Sequence, residues 1–206
     1  MPRAARRSYL GLVSADAPEA CTARVHLLCA GASGVRLAST VGFIGDGDTK
    51  VIIDPGMVAD REDILAPLAE LGELAGSVTD VVFSHPNPSH TLHAALFPHA
   101  RYHDHQAIYH RDQRLARRGD RFLVSPAIRL IETPGPTGKQ LTTLAATAHG
   151  VVVFTHLWTS ATDPLDGRHP ATRSSLQAAR GRVLAIATRI VPGHGPSFRA
   201  GPDTPI

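Results

Sequence analysis

The chain has 206 residues, 43% hydrophobic and 19% charged, with a formal net charge of +3. At about 150 residues per domain that length gives one to two domains, and the mixture excludes a disordered chain. Cys21 and Cys29 are too few for a disulfide framework or a four-thiolate zinc site. No apolar run approaches the ~20 residues of a membrane helix. The apolar stretch after Arg3, Arg6 and Arg7 is too short for a secretory signal. The expected setting is therefore soluble and cytoplasmic.

In chain order, residues 1–23 show no period and read as an N-terminal arm, followed by a single domain over 24–206. Residues 24–30 and 39–44 read as strands, and Gly45-Asp46-Gly47-Asp48 as a tight turn into a third strand at 50–54. Ile64, Leu65, Leu68 and Leu71 have helical spacing over 60–74, with Asp60 as cap and Gly76 beyond the end. A short buried strand at 78–84 leads to a short helix at 90–97 and a strand at 100–105.

Next comes a cluster of Arg111, Arg114, Arg117, Arg118 and Arg121, with Asp112 and Asp120 among them. As a helix it would place Arg111, Arg114 and Arg118 on one face. That face would be either a rim for a phosphate, carboxylate or other anionic group, or simply solvated. The absence of interleaved aromatics argues against nucleic acid. Strands at 121–124 and 127–131, a hairpin of 141–148 with 151–154, a helix at 174–188 and a strand at 189–191 complete the reading. Two β-rich halves with helices outside imply an α/β four-layer αββα sandwich.

Polar or glycine-marked loops follow four of these strands: Ile53-Asp54-Pro55-Gly56, Ser84-His85-Pro86-Asn87-Pro88-Ser89-His90, Thr133-Pro134-Gly135-Pro136 and Pro192-Gly193-His194-Gly195. Two histidines five residues apart at a strand end suit a metal cradle. In this order, with the strand running to Trp158, the landmarks resemble the metallo-β-lactamase superfamily over residues 24–198. The likeness is to its glyoxalase-II-like and small actinobacterial hydrolase branches. The resemblance implies the metallo-β-lactamase fold, one or two metal ions, usually zinc and sometimes iron or manganese, and water-activating hydrolysis. It also implies a bacterial chain.

The chain departs from the family's ligand pattern. Where the family loop reads His-x-His-x-Asp-His, Asn87 and Ser89 replace the second histidine and the aspartate. Pro136 replaces the histidine of Thr-Pro-Gly-His, and His156 falls at the bridging aspartate, unless a shift of one residue puts Leu157 there. The resemblance then leaves two readings. One divalent ion, zinc first and iron or manganese next, is held by His90, His156 and His194; or no metal binds and the histidines only hydrogen-bond.

The candidate catalytic set is His85, His90, His156, His194 and Asp54. Asp54 either orients His85 or His90 or is a turn residue. Candidate substrate contacts are Asn87, Ser89, Trp158, Arg111, Arg114 and Arg118, with Trp158 either walling the pocket or packing. His103 and His105 share a strand face; His105, near the strand end, either reaches the cleft or, like His103, is partly exposed. No Gly-x-Ser-x-Gly elbow supports a serine nucleophile. The expected function is a small-molecule enzyme with an at most mononuclear site, acting by hydrolysis or a related acid–base step such as elimination, dehydration or cyclisation. A pseudoenzyme serving as a binding or scaffolding module is the alternative.

Overall fold

A computed structural model describes residues 22–117, 120–135, 138–163 and 173–206. The first sheet contains Arg24–Cys29 (β1), Val41–Asp46 (β2), Thr49–Ile53 (β3), Asp80–Val82 (β4), Arg101–His103 (β5), Ala107–His110 (β6) and Gln113–Ala116 (β7), side by side in chain order. The second contains Phe122–Ser125 (β8), Ile128–Gly135 (β9), Gly138–Thr147 (β10), Gly150–Thr155 (β11), Ala187–Pro192 (β12) and Phe198–Arg199 (β13), in the order β13-β12-β11-β10-β9-β8. The helices are Glu62–Glu70 (α1), Pro88–Thr91 (α2) and Arg173–Leu184 (α3).

The period-2 alternation of the strands sorts side chains into layers. Ile44, Val51, Ile53 and Val82 of the first sheet meet Ile128, Leu130, Leu141, Ala145, Phe154 and Val191 of the second. The alternate residues Phe43, Ile52 and Val81 face outward and pack with Ile64 and Leu68 of α1. On the far side Leu144, Val153 and Ile190 pack with Leu176, Ala179 and Val183 of α3. These strands are apolar on both faces because each face is covered. The result is the expected αββα sandwich.

β3, β4 and β5 run parallel, as do β11 and β12. Their C-terminal ends therefore open toward one edge, where an α/β fold places its ligands. Asp54 follows β3, Ser84 and His85 follow β4, His156 follows β11, and Gly193 and His194 follow β12. Hydrogen bonds join the two sheets along that edge. Thr40 N–H donates to Gly193 O at 2.7 Å and Leu141 N–H donates to Ser84 O at 2.9 Å.

The arginine-rich helix is a correction. Residues 107–116 form a hairpin, β6 paired with β7, whose two-residue turn is Arg111-Asp112, Arg111 lying at φ +56°. The arginines fit a helical spacing, but no apolar stripe accompanies them, and Ile108 and Tyr109 favour a strand. Arg114 sits on β7, which is exposed throughout. A charged outermost strand blunts edge-to-edge pairing. Arg118 lies outside the described residues.

Smaller corrections follow the same logic. The first helix stops at Glu70 and is closed by Gly72 at φ +78°, not by Gly76. The last helix ends at Leu184, so Ala187 and Thr188 already belong to β12. Residues 1–21 of the expected arm lie outside the described residues, while Ala23 is buried and its N–H bonds Ala146 O. No helix among the described residues is long and apolar enough to cross a membrane.

Candidate metal centre

The Asp54-Pro55-Gly56 turn and the Ser84–His90 loop are built against each other. Asp54 adopts φ +49°, which an aspartate tolerates better than most residues. Its Oδ1 accepts the Ser84 N–H at 2.7 Å and its Oδ2 the Ser84 hydroxyl at 2.6 Å. A Cβ on Gly56 would lie 1.6 Å from Ser89 O, so only glycine lets the turn pass this close. Met57 N–H bonds Ser89 O, and His93 Nδ1 lies 2.6 Å from Gly56 O.

His90 rises from this loop, fully buried, with Nδ1 3.0 Å from Asp54 Oδ2. Its Nε2 lies 3.0 Å from His194 Nε2. His194 Nδ1 is 2.8 Å from Ala38 O. A carbonyl only accepts and a carboxylate repels a bare ring nitrogen, so both Nδ1 atoms carry their hydrogens. Two neutral rings would then face each other with lone pairs 3.0 Å apart, which is repulsive. The pair calls for an electrophile: a shared proton fits on the line between the nitrogens at this spacing, whereas a metal ion would sit to one side of it, at the apex of the two lone pairs, with the nitrogens a few tenths of an ångström further apart.

His156 completes the cluster. Its ring centroid is 4.4 Å from that of His90, 4.8 Å from His85 and 5.3 Å from His194. Its Nε2 is buried with no hydrogen-bond partner. The ring lies on Gly193, where a Cβ would come within 2.0 Å of it. Ligand atoms of His85, His90 and His156 lie within 4.8 Å of one another, and no other such group of three or more occurs among the described residues. Leu157, the alternative to His156, is buried in the α3 layer instead.

The electrostatics favour neutral rings at His85, His156 and His194. Burial, reinforced by His90, pushes His85 down to about 4 and His156 well below its ordinary range. Burial also lowers His194. Asp54 is pushed up by burial, but His90, His156 and the Ser84 hydroxyl outweigh this and hold its carboxyl below the usual range. Neutral imidazoles are the form that binds metals. The histidine cluster, with an unpartnered buried nitrogen on His156, is a group that could hold one metal ion.

The other sequence candidates are spread out. Asn87 is exposed; its N–H bonds His85 Nδ1 at 3.2 Å. Ser89 is buried, and its carbonyl serves Met57. Trp158 packs rather than walling a pocket: it is buried beneath α3, donates from Nε1 to Pro205 O at 2.8 Å and lies 5.1 Å from the Arg180 guanidinium carbon. Arg111 and Arg114 are exposed on the β6–β7 hairpin. Pro136 lies outside the described residues. His103 departs from its reading as partly exposed: it is fully buried, with Nε2 2.7 Å from Asp80 Oδ1. Sequence reasoning missed Ser84, Ala38 O and Gly193 as supports of the cluster. Only the Gly-His dipeptide hinted at the last of these.

Residues 34–168 match the family model described as the metallo-beta-lactamase superfamily. Metallo-beta-lactamase domain-containing protein 1 of Xenopus laevis is 27% identical over 85% of this chain and 81% of its own length. The Homo sapiens protein of the same name is 30% identical over 72% of this chain and 59% of its own. Both relatives are vertebrate proteins, so they lend no support to the expected bacterial branch. Among solved structures, a Thermotoga maritima protein described as a metallo-beta-lactamase superposes with TM-score 0.68 at 20% identity, over 86% of this chain and 99% of its own. A B3 metallo-beta-lactamase with an active-site glutamic acid gives 0.61 at 18% identity, over 87% and 81%. A quorum-quenching N-acyl homoserine lactone lactonase gives 0.56 at 16% identity, over 85% and 89%. The family model spans more than half of the chain, and the histidine cluster sits at the strand ends where the motif resemblance led: the chain belongs to the metallo-β-lactamase superfamily.

Proposed function

We propose that the chain is a hydrolase of this superfamily working with one divalent ion held by His90, His156 and His194, on a small molecule with an acyl-type bond. The observation that carries the reading is the pair of His90 and His194 Nε2 atoms at 3.0 Å, with His194 Nδ1 bonded to Ala38 O and His90 Nδ1 in charge contact with Asp54 Oδ2 at 3.0 Å. The lactonase and β-lactamase among the structural neighbours are named for cyclic acyl substrates, which puts that bond type first.

A bound divalent ion supplies a Lewis acid and a water acidic enough to ionise near neutral pH. The chain's own residues do the rest. Ala38 O and Asp54 fix the orientation of the His194 and His90 rings, as outer partners of ligating histidines do. Among the described residues Asp54 is the carboxylate in contact with the cluster, and it offsets part of the added charge. An all-imidazole set suits zinc or iron better than manganese, which prefers oxygen donors. The surrounding apolar layers limit competing water.

The second reading is a metal-free module in which one proton bridges His90 and His194. Metal analysis of the purified protein separates the two. We expect close to one zinc or iron per chain, retained through dialysis, and lost with any turnover in His90→Ala and His194→Ala variants that stay folded. A wild-type protein that stays metal-free when offered zinc supports the module. Two ions per chain would overturn the mononuclear reading.

A further inference from the structure

His85 stands among the metal-ligating side chains by proximity, yet one hydrogen bond takes it out of their number. The Asn87 backbone N–H donates to His85 Nδ1 at 3.2 Å. A backbone amide can only donate, so this contact takes the Nδ1 lone pair and favours the ring hydrogen on Nε2, against the opposing pull of the ring's own backbone carbonyl. The ring hydrogen is then on Nε2. This is the opposite tautomer from His194, whose Nδ1 is the donor to Ala38 O. Ligation through Nε2 would move the hydrogen to Nδ1, against the Asn87 N–H, or else require an imidazolate. The contact is local, two residues along the chain across Pro86, and so persists whenever the loop is folded.

The ring is buried within the histidine cluster: it is 4% exposed, its centroid 4.3 Å from His90 and 4.8 Å from His156. On the reading given under Proposed function, we propose that His85 is not a ligand but a neutral donor. Its Nε2–H is offered to the oxygen of a bound acyl compound on which negative charge grows as water adds. A fixed donor in a water-poor cleft is the usual device for that charge. It needs no movement at the moment of reaction, and no proton changes owner at His85.

Long-range proton–nitrogen spectra of ring-labelled protein read the tautomer directly, with zinc and without it. We expect a pyridine-like Nδ1 and a pyrrole-like Nε2 on His85 in both states, assigned by comparison with His85→Gln. We also expect His85→Ala and His85→Gln to bind zinc with wild-type stoichiometry, whereas His156→Ala does not hold it through dialysis. Acetate serves as probe for an oxygen bearing negative charge. His85→Ala should weaken its binding to the zinc-loaded protein about tenfold or more, and His85→Gln, which keeps an N–H donor, should recover part of it.

A zinc-induced shift at His85 Nε2, or zinc loss in His85→Ala equal to that in His156→Ala, overturns the assignment. Acetate that binds the alanine variant as well as wild type, or does not bind wild type at all, overturns the donor role. A protein that takes up no zinc sinks the metal reading instead, while the metal-free spectra still decide the tautomer of His85.

Discussion

Asp54 shows how one side chain serves fold and site together. Its φ of +49° turns the chain, its two oxygens hold Ser84, and Oδ2 also reaches His90. Asparagine tolerates the same backbone conformation, so Asp54→Asn removes charge while keeping the turn. We expect this variant to fold and to bind zinc about 10–100-fold more weakly, as loss of a histidine's outer carboxylate does. Competition with a chromophoric chelator measures it, and unchanged affinity would make Asp54 a turn residue alone. The sequence offered both roles and the structure assigns it contacts of both kinds. His85, His90 and His194 were legible because a motif orders them. Ala38 O was not, because its partner is 156 residues away and a backbone oxygen leaves no mark in the sequence. The tautomer of His85 was equally hidden, since it depends on where the Asn87 N–H points.

At the level of elements, the β6–β7 hairpin separates two kinds of arginine. Arg114 is exposed, whereas the Arg117 side chain is 3% exposed. The Arg117 guanidinium donates to Asp104 O, to His105 O at 2.8 Å and to Glu132 Oε1 at 3.3 Å, tying the hairpin to β9. We expect Arg117→Ala to cost about 1–3 kcal/mol, because the Asp104 and His105 carbonyls lose their donor, while Glu132 keeps Lys139 at 2.9 Å. Arg114→Ala should stay within about 0.5 kcal/mol, as surface changes do. Urea denaturation distinguishes them, and equal effects would mean that the buried contacts add nothing. Most strands of the two sheets were readable from alternation and the long helices from apolar spacing, though the two-residue β13 was not. The hairpin was not, because an arginine at positive φ gives no turn signal.

For the whole molecule, acid sensitivity follows from the histidines kept neutral inside it. His85 falls from the ordinary 6.5 to about 4, and His156 and His194 are also lowered, by burial first. Below about pH 6.5 the unfolded chain takes up protons that the folded chain refuses. Stability is therefore complete above that pH and declines as pH falls toward 4. Asp54, whose carboxyl is also lowered, extends the loss below its ordinary 3.8. For the metal-free protein we expect a urea midpoint that is flat above pH 7 and drops steadily between pH 6.5 and 4. A midpoint that rises on acidification would show that these rings are charged in the folded state.

The bonds from Thr40 to Gly193 and from Leu141 to Ser84 cross between the sheets beside the cluster itself. Backbone amides held by a central core open only with the largest unfolding units, on the slowest timescales. The floor of the cleft therefore has no hinge. On the proposed function, an ion or a small molecule would have to enter and leave without parting the two sheets, which stay closed like the halves of a sewn seam.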